Sequence, residues 1–309
     1  MPFRELLGRF TTGTLHRTLV TFPGQSRDRL TLQLFMSVPL LGLLAALSLA
    51  TGSVITKGVV NRLPARQLIG PLYALNALIL LPFAPFEDWV WTSRVITLHL
   101  ITVVVMIFTA LTVFDLFDRG AASAVVTAQA TSPLPAALAV AVLLPEAFRE
   151  VELIAAVIVV VGVLWAISDS FEGLGRSRAM LTAAVAAIGG GLTTVLSRLV
   201  VDEGVGLAGT YVTRTAIAAV IFTIAIPPRD IPRGETPLLF VRALFISGGF
   251  AFAIAGVQRG SPTIIQTMVA LTPFFVLGWE TLRARRAPPP RLVFAAALAL
   301  VGVALIVIV

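Results

Sequence analysis

Ten apolar runs, at approximately 32–56, 68–85, 95–114, 121–144, 151–168, 179–201, 208–227, 237–257, 261–281 and 291–309, dominate this chain. A helix of about 20 apolar residues crosses the ~30 Å hydrocarbon core of a bilayer, and each run reaches or approaches that length. Hydrocarbon offers no partner to a backbone N–H or C=O, so a crossing segment must satisfy its own, as a helix does. The runs do not alternate apolar and polar residues, which excludes barrel strands. Of the 309 residues, 57% are hydrophobic and 13% charged, with a mean hydropathy of +0.96. Soluble domains carry about 25% charged residues, so both a water-soluble globule and a disordered chain are excluded. Turn and charge residues punctuate the runs, as at Asn61-Arg62-Leu63-Pro64, Asp118-Arg119-Gly120, Asp202-Glu203-Gly204 and Pro288-Pro289-Pro290.

The 23 basic and 16 acidic side chains leave a net charge of +7. Most of the arginines fall in the breaks, where flanking charges meet a bilayer surface, and no basic patch interleaved with aromatics exists. Membrane lipids, and no nucleic acid, are the partners this pattern implies. There are no cysteines, which removes disulfides, thiolate metal sites and thiol nucleophiles. Residues 1–31 lack a signal-peptide h-region, so the first run is expected to direct insertion. Phe3, Leu6, Leu7 and Phe10, among Arg4 and Arg9, suit a short helix lying in the interface, with a frayed tail as the other reading.

Internal repetition is the next test. Sliding the chain by 140 residues brings Arg119-Gly120 onto Arg259-Gly260, Ala130 onto Ala270, Pro133 onto Pro273, and Val161-Gly162-Val163 onto Val301-Gly302-Val303. Tyr73 and Asn76 meet Tyr211 and Arg214 at an offset of 138, as a small loop-length difference would produce. The expected fold class is therefore all-α integral membrane, with ten transmembrane helices as two inverted five-helix repeats. Residues 1–31 form a cytoplasmic or interfacial segment, 32–168 the first repeat and 179–309 the second. Inversion follows from the odd number of spans per repeat, which makes the second copy enter from the opposite side.

The run from Ala121-Ala122-Ser123 to Thr131-Ser132-Pro133, the following Pro145-Glu146 and Val161-Gly162-Val163 resemble the drug/metabolite transporter superfamily, and within it the ten-helix EamA-type transporters. Ser261 through Leu271-Thr272-Pro273 and Val301-Gly302-Val303 repeat the pattern. The resemblance implies a bacterial inner-membrane transporter, often an exporter, of amino acids or related metabolites. It departs from the family at the counterpart of Glu146, which is Arg286. A smaller four-helix branch uses a first-helix Glu to exchange protons for cationic drugs; residues 32–56 contain no acid.

Ionisable residues within a span are costly and mark function by default. Arg214 lies seven residues into the seventh run, with Tyr211 on the same helical face. Tyr73 and Asn76 hold the related place in the second. These faces either line a substrate cavity, or Arg214 snorkels to the interface while the tyrosines join an aromatic belt. His99 and Gln129 complete the candidate substrate-binding set of Tyr73, Asn76, His99, Gln129, Tyr211 and Arg214; a packed neutral His99 and a Gln129 that bonds between helices are the alternatives. Gln266 and Thr267 read as interhelical glue, Lys57 and Arg198 as flanking charges or anion attractors, and Gly189-Gly190-Gly191 with Gly52 as sites of close helix approach or of a bend that helps gating. Glu280 pairs with Arg283 on the simplest reading.

Enzyme chemistry finds no footing. Two histidines, no cysteine, no HExxH, no Gly-x-Ser-x-Gly and no Walker A sequence leave no zinc pair, nucleophile elbow or phosphate loop. No catalytic residue, metal or cofactor is expected, and transport runs on a gradient. The expected function is a secondary transporter moving a small polar metabolite across the inner membrane by alternating access. The rivals are an antiporter of anionic phosphorylated or nucleotide-linked metabolites and a non-transporting scaffold or lipid-handling partner. A homodimer is left open. Five arginines before the first run favour a cytoplasmic start, although the inner segments then carry fewer basic residues than the outer ones. A single cysteine at Ala287 is expected to react with an impermeant thiol reagent from outside; labelling from the cytoplasm reverses this orientation.

Overall fold

The computed structural model describes residues 37–119, 125–126, 129–144, 149–166, 176–228, 231–285 and scattered positions between 290 and 305. The segment expected over 1–31, the opening of the fourth run at Ala121-Ala122-Ser123, Glu146, Arg286 and most of the tenth run lie outside the described residues. Among the described residues every regular element is helical. The first five helices are α1 (Val38–Val60), α2 (Ala65–Leu80), α3 (Ser93–Arg119), α4 (Pro133–Leu143) and α5 (Glu150–Ala166). They are followed by α6 (Arg176–Asp202), α7 (Leu207–Ala225), α8 (Thr236–Arg259), α9 (Pro262–Val269) and α10 (Thr272–Ala284).

Among the described residues seven stretches are long and apolar enough to span a bilayer: α1, α2 with a 3-10 extension to Phe86, α3, α6, α7, α8, and α9 together with α10. Ten were expected. The difference lies in the fourth, fifth and tenth runs, where the described helices reach only 11 residues in α4 and 17 in α5. Leu138, Val142, Phe108, Ile224 and Leu282 are each more than half exposed. In water such a surface would aggregate; against lipid tails it is the expected outer face.

The fourth and ninth runs, expected as continuous helices, are both broken, and at equivalent positions. Turns at Thr131-Ser132 and Ala270-Leu271 precede α4 and α10. Pro133 and Pro273, in the first turn of those helices, carry no N–H and so cannot make the hydrogen bond that would continue a preceding helix. The hydroxyls complete the break. Ser132 Oγ donates to Gln129 O, and Thr272 Oγ1 to Val269 O, each at 2.5 Å. Both donor and acceptor correspond at the 140-residue offset.

Lipid tails are as apolar as leucine, so helices associate through close packing and hydrogen bonds. The broadest contacts are α1 with α8, α2 with α7 and α3 with α6, followed by α1 with α9 and α4 with α6. Exchanging the two repeats turns the α1–α8 pair into the α6–α3 pair and α1–α9 into α6–α4. In the α1–α8 contact Leu41 lies against Gly256, Leu49 against Gly249 and Ile246 against Gly52, so these helices run antiparallel. Thr109 against Gly189 and the Arg94–Glu203 ion pair at 3.0 Å give the same sense for α3 and α6.

Two cations tie helix ends within each repeat. Lys57 Nζ donates to Phe117 O at 2.9 Å, and Arg198 Nη1 to Val257 O at 2.5 Å. Phe117 and Val257 are 140 residues apart, Lys57 and Arg198 141. Each cation meets a carbonyl near the C-terminus of a neighbouring helix, where the macrodipole favours positive charge. All four residues lie near the C-terminal ends of their helices, so α1 runs parallel to α3 and α6 parallel to α8.

The glycine triplet packs as its composition predicts. A Cβ at Gly191 would lie 2.7 Å from both Ala136 N and Ser132 O, which are backbone atoms. Gly191→Ala is expected to cost about 1–3 kcal/mol by forcing α4 and α6 apart. Gly58 has nothing within 4 Å of the same position, and Gly58→Ala is expected to be neutral or to stabilise by about 0.5–1 kcal/mol. Denaturation midpoints of the two purified variants measure the contrast.

Candidate functional site

The two broken runs face a cavity of about 180 Å³, to which α1, α2, α3, α6, α7 and α8 also contribute. Tyr73, Asn76, Gln129, Tyr211 and Arg214 line it. Tyr73 and Asn76 are three residues apart on α2, as are Tyr211 and Arg214 on α7, a spacing that puts each pair on one helical face. The remaining candidate, His99, is outside this lining. It is buried near the start of α3 with its ring centroid 6.4 Å from that of Trp91.

A polar chain crosses between the repeats beside the cavity. Arg242 of α8 donates from Nε to Thr56 Oγ1 at 3.0 Å and from Nη1 to Asn76 Oδ1 at 3.3 Å. Ser247, one turn further along α8, donates to the Asn76 carbonyl at 3.2 Å and shares a 3.5 Å contact with the Tyr211 hydroxyl. Arg214 donates from Nη1 to Ser197 Oγ of α6 and stands 5.6 Å from the centroid of the Tyr211 ring. Its Nε has no hydrogen-bond partner among the described residues. Gln266 Nε2 donates to Gly190 O at 3.2 Å and to Thr194 Oγ1, joining the ninth run to α6 at the cavity wall.

Arg242 was not singled out in the sequence, although it lies within the eighth run and intramembrane arginine is a strong signal. Arg214 carried a second signal, the matched Tyr73-Asn76 pair in the other repeat. The counterpart of Arg242 is Thr102, so repetition did not mark it. Only folding shows that Arg242 crosses to the first repeat. The flanking positions resolve differently. Lys57 and Arg198 are helix-end caps, and Thr267 is buried with its hydroxyl donating to Thr263 O at 2.8 Å. Glu280 is exposed, and no ion pair joins it to Arg283.

Comparison with known proteins now bears on this geometry. The model of the EamA-like transporter family matches residues 36–168 and again 177–308. The chain belongs to the EamA-like transporter family. It is thereby a multi-pass membrane protein of the drug/metabolite transporter superfamily, built as two repeats. Among solved structures, one described only as the crystal structure of a protein superposes with a TM-score of 0.70 at 18% identity, covering 87% of this chain and 97% of that one. That similarity concerns the fold. No curated protein matches significantly.

For this EamA-like transporter, Arg214 and Arg242 are the costly residues of the site. A central arginine costs roughly 2.5–3.5 kcal/mol on the insertion scale, and among the described residues neither forms an ion pair with a carboxylate. Replacing an inadequately compensated buried charge by an apolar side chain of similar length is often neutral or stabilising. Arg214→Met and Arg242→Met are therefore expected to leave the melting temperature of the ligand-free protein unchanged or raised. A fall equivalent to more than about 3 kcal/mol would make these arginines structural struts.

Proposed function

We propose that this EamA-like transporter is a ten-helix secondary transporter that moves a small polar organic metabolite by alternating access through the central cavity. The observation that carries the reading is the convergence of Tyr73, Asn76, Tyr211 and Arg214, from both repeats, on one cavity. A scaffold or lipid-handling protein has no use for such an interior, since unpaired polar groups in a helical core are costly and packing alone would fill it.

The direction of the helices supports inverted repeats. With α1 antiparallel to α8 and α8 parallel to α6, the equivalent helices α1 and α6 run in opposite directions. The caps Lys57–Phe117 and Arg198–Val257 then lie toward opposite membrane faces. In this reading each cap holds one end of its repeat closed, and releasing one while keeping the other opens the cavity to one side. The reciprocal exchange of helix contacts makes the two outward shapes near equivalents of each other.

Two measurements test the proposal. In proteoliposomes, a solute that raises the melting temperature of the purified protein should also exchange across the membrane; if no small polar solute does either, the scaffold reading replaces this one. Ser53 lines the cavity and supplies a probe position in the cysteine-free chain. Lys57→Met should increase the reactivity of Ser53→Cys with an impermeant reagent from one face, and Arg198→Met from the opposite face. Increases from the same face would refute the paired caps.

A further inference from the structure

The charge of the cavity defines its occupant more narrowly than its polarity does. Arg214 is 2% and Arg242 7% exposed, and both line the same cavity. Among the described residues, every group that accepts a hydrogen bond from either guanidinium is a neutral oxygen: Ser197 for Arg214, and Thr56 and Asn76 for Arg242. A guanidinium has five N–H donors in a planar fork, so these bonds leave most of the donors of both without an acceptor among the described residues. The described lining contains no aspartate, glutamate or lysine.

Repeat symmetry explains why there are two. Ser197 follows Thr56 by 141 residues and Arg214 follows Asn76 by 138. In the second repeat the arginine comes from α7 itself and binds the hydroxyl on α6. In the first repeat the corresponding place holds Asn76, and Arg242 reaches across from α8 to bind both Asn76 and the hydroxyl on α1. The cavity thus has one guanidinium seated in each half, although both residues belong to the second repeat in sequence.

We propose that the transported solute is a small organic anion whose acid group is bound by the guanidinium groups of Arg214 and Arg242. This deepens the transporter reading and rests on it. Arginine forks match carboxylate and phosphate oxygens in bidentate geometry. Tyr73, Tyr211, Phe114 and Phe250, also in the lining, supply ring walls for the organic remainder. A cation meets two fixed positive charges and no acid, and a zwitterionic amino acid faces the same repulsion at its ammonium end.

The test compares charge at constant shape. Purified full-length protein is melted with short mono- and dicarboxylates, the primary amides of the same acids, inorganic phosphate and zwitterionic amino acids, and each stabilising solute is assayed for exchange in proteoliposomes. The expected result is stabilisation and exchange by an acid and none by its amide. Arg214→Gln and Arg242→Gln should each weaken that acid by about 30-fold or more, the loss typical of truncating one partner of a buried charge pair. Stabilisation by phosphate in place of carboxylates would keep the anion and assign its acid group as phosphate. Amides or zwitterions that stabilise as well as the acids, with exchange retained, would overturn the anion proposal and leave the transporter reading standing. Failure of every solute to stabilise or exchange would remove both. The acid-against-amide comparison uses the unaltered chain and so decides the matter even if the glutamine variants do not fold.

Discussion

Backbone hydrogen bonding in hydrocarbon governs this structure. A helix satisfies its own N–H and C=O groups, so any interruption within a span must find its partners inside the protein. The two interruptions, at Thr131-Ser132 and Ala270-Leu271, meet this requirement with the local hydroxyls of Ser132 and Thr272, and both runs face the cavity. Irregular backbone is tolerated where it lines an interior space and nowhere along the lipid surface. The site and the breaks therefore have one origin.

The cavity persists because the helices around it are held apart by what they must bind. Glycine lets α1 approach α8 and α6 approach α3 closely at one level. At another, Arg242 lies between α1, α2 and α8, and Arg214 between α6 and α7. Large, charged and incompletely paired side chains prevent the collapse that small residues permit elsewhere. An interior of this kind gives up packing stability, the trade expected of the proposed binding cavity.

The helical character, the membrane location and the two-repeat plan were legible in the sequence because each follows from a periodic or repeated signal along the chain. Proline and hydroxyl residues at matched offsets also carried the breaks, but a hydropathy reading treats Thr131-Ser132-Pro133 as an ordinary part of an apolar run. Of the six candidate substrate-binding residues, five gather around the cavity. His99 does not, because a lone histidine near a span end gives no indication of which way its ring points, and here it packs beside Trp91. Glu280 likewise had a suitable partner in Arg283 by spacing and no ion pair with it in space.

By itself the sequence determined that the chain must be helical, must lie in lipid and must consist of two related halves, since each is dictated by local hydrogen bonding and by composition repeated along the chain. Tertiary structure alone decided that Arg242 joins Asn76 and Thr56, that Lys57 and Arg198 cap the ends of other helices, and that two guanidiniums share one interior. The hydrogen bonds among these join residues between 59 and 186 positions apart. Nothing in a local pattern encodes them, because side-chain contact across helices depends on the packing register, which only the assembled bundle fixes.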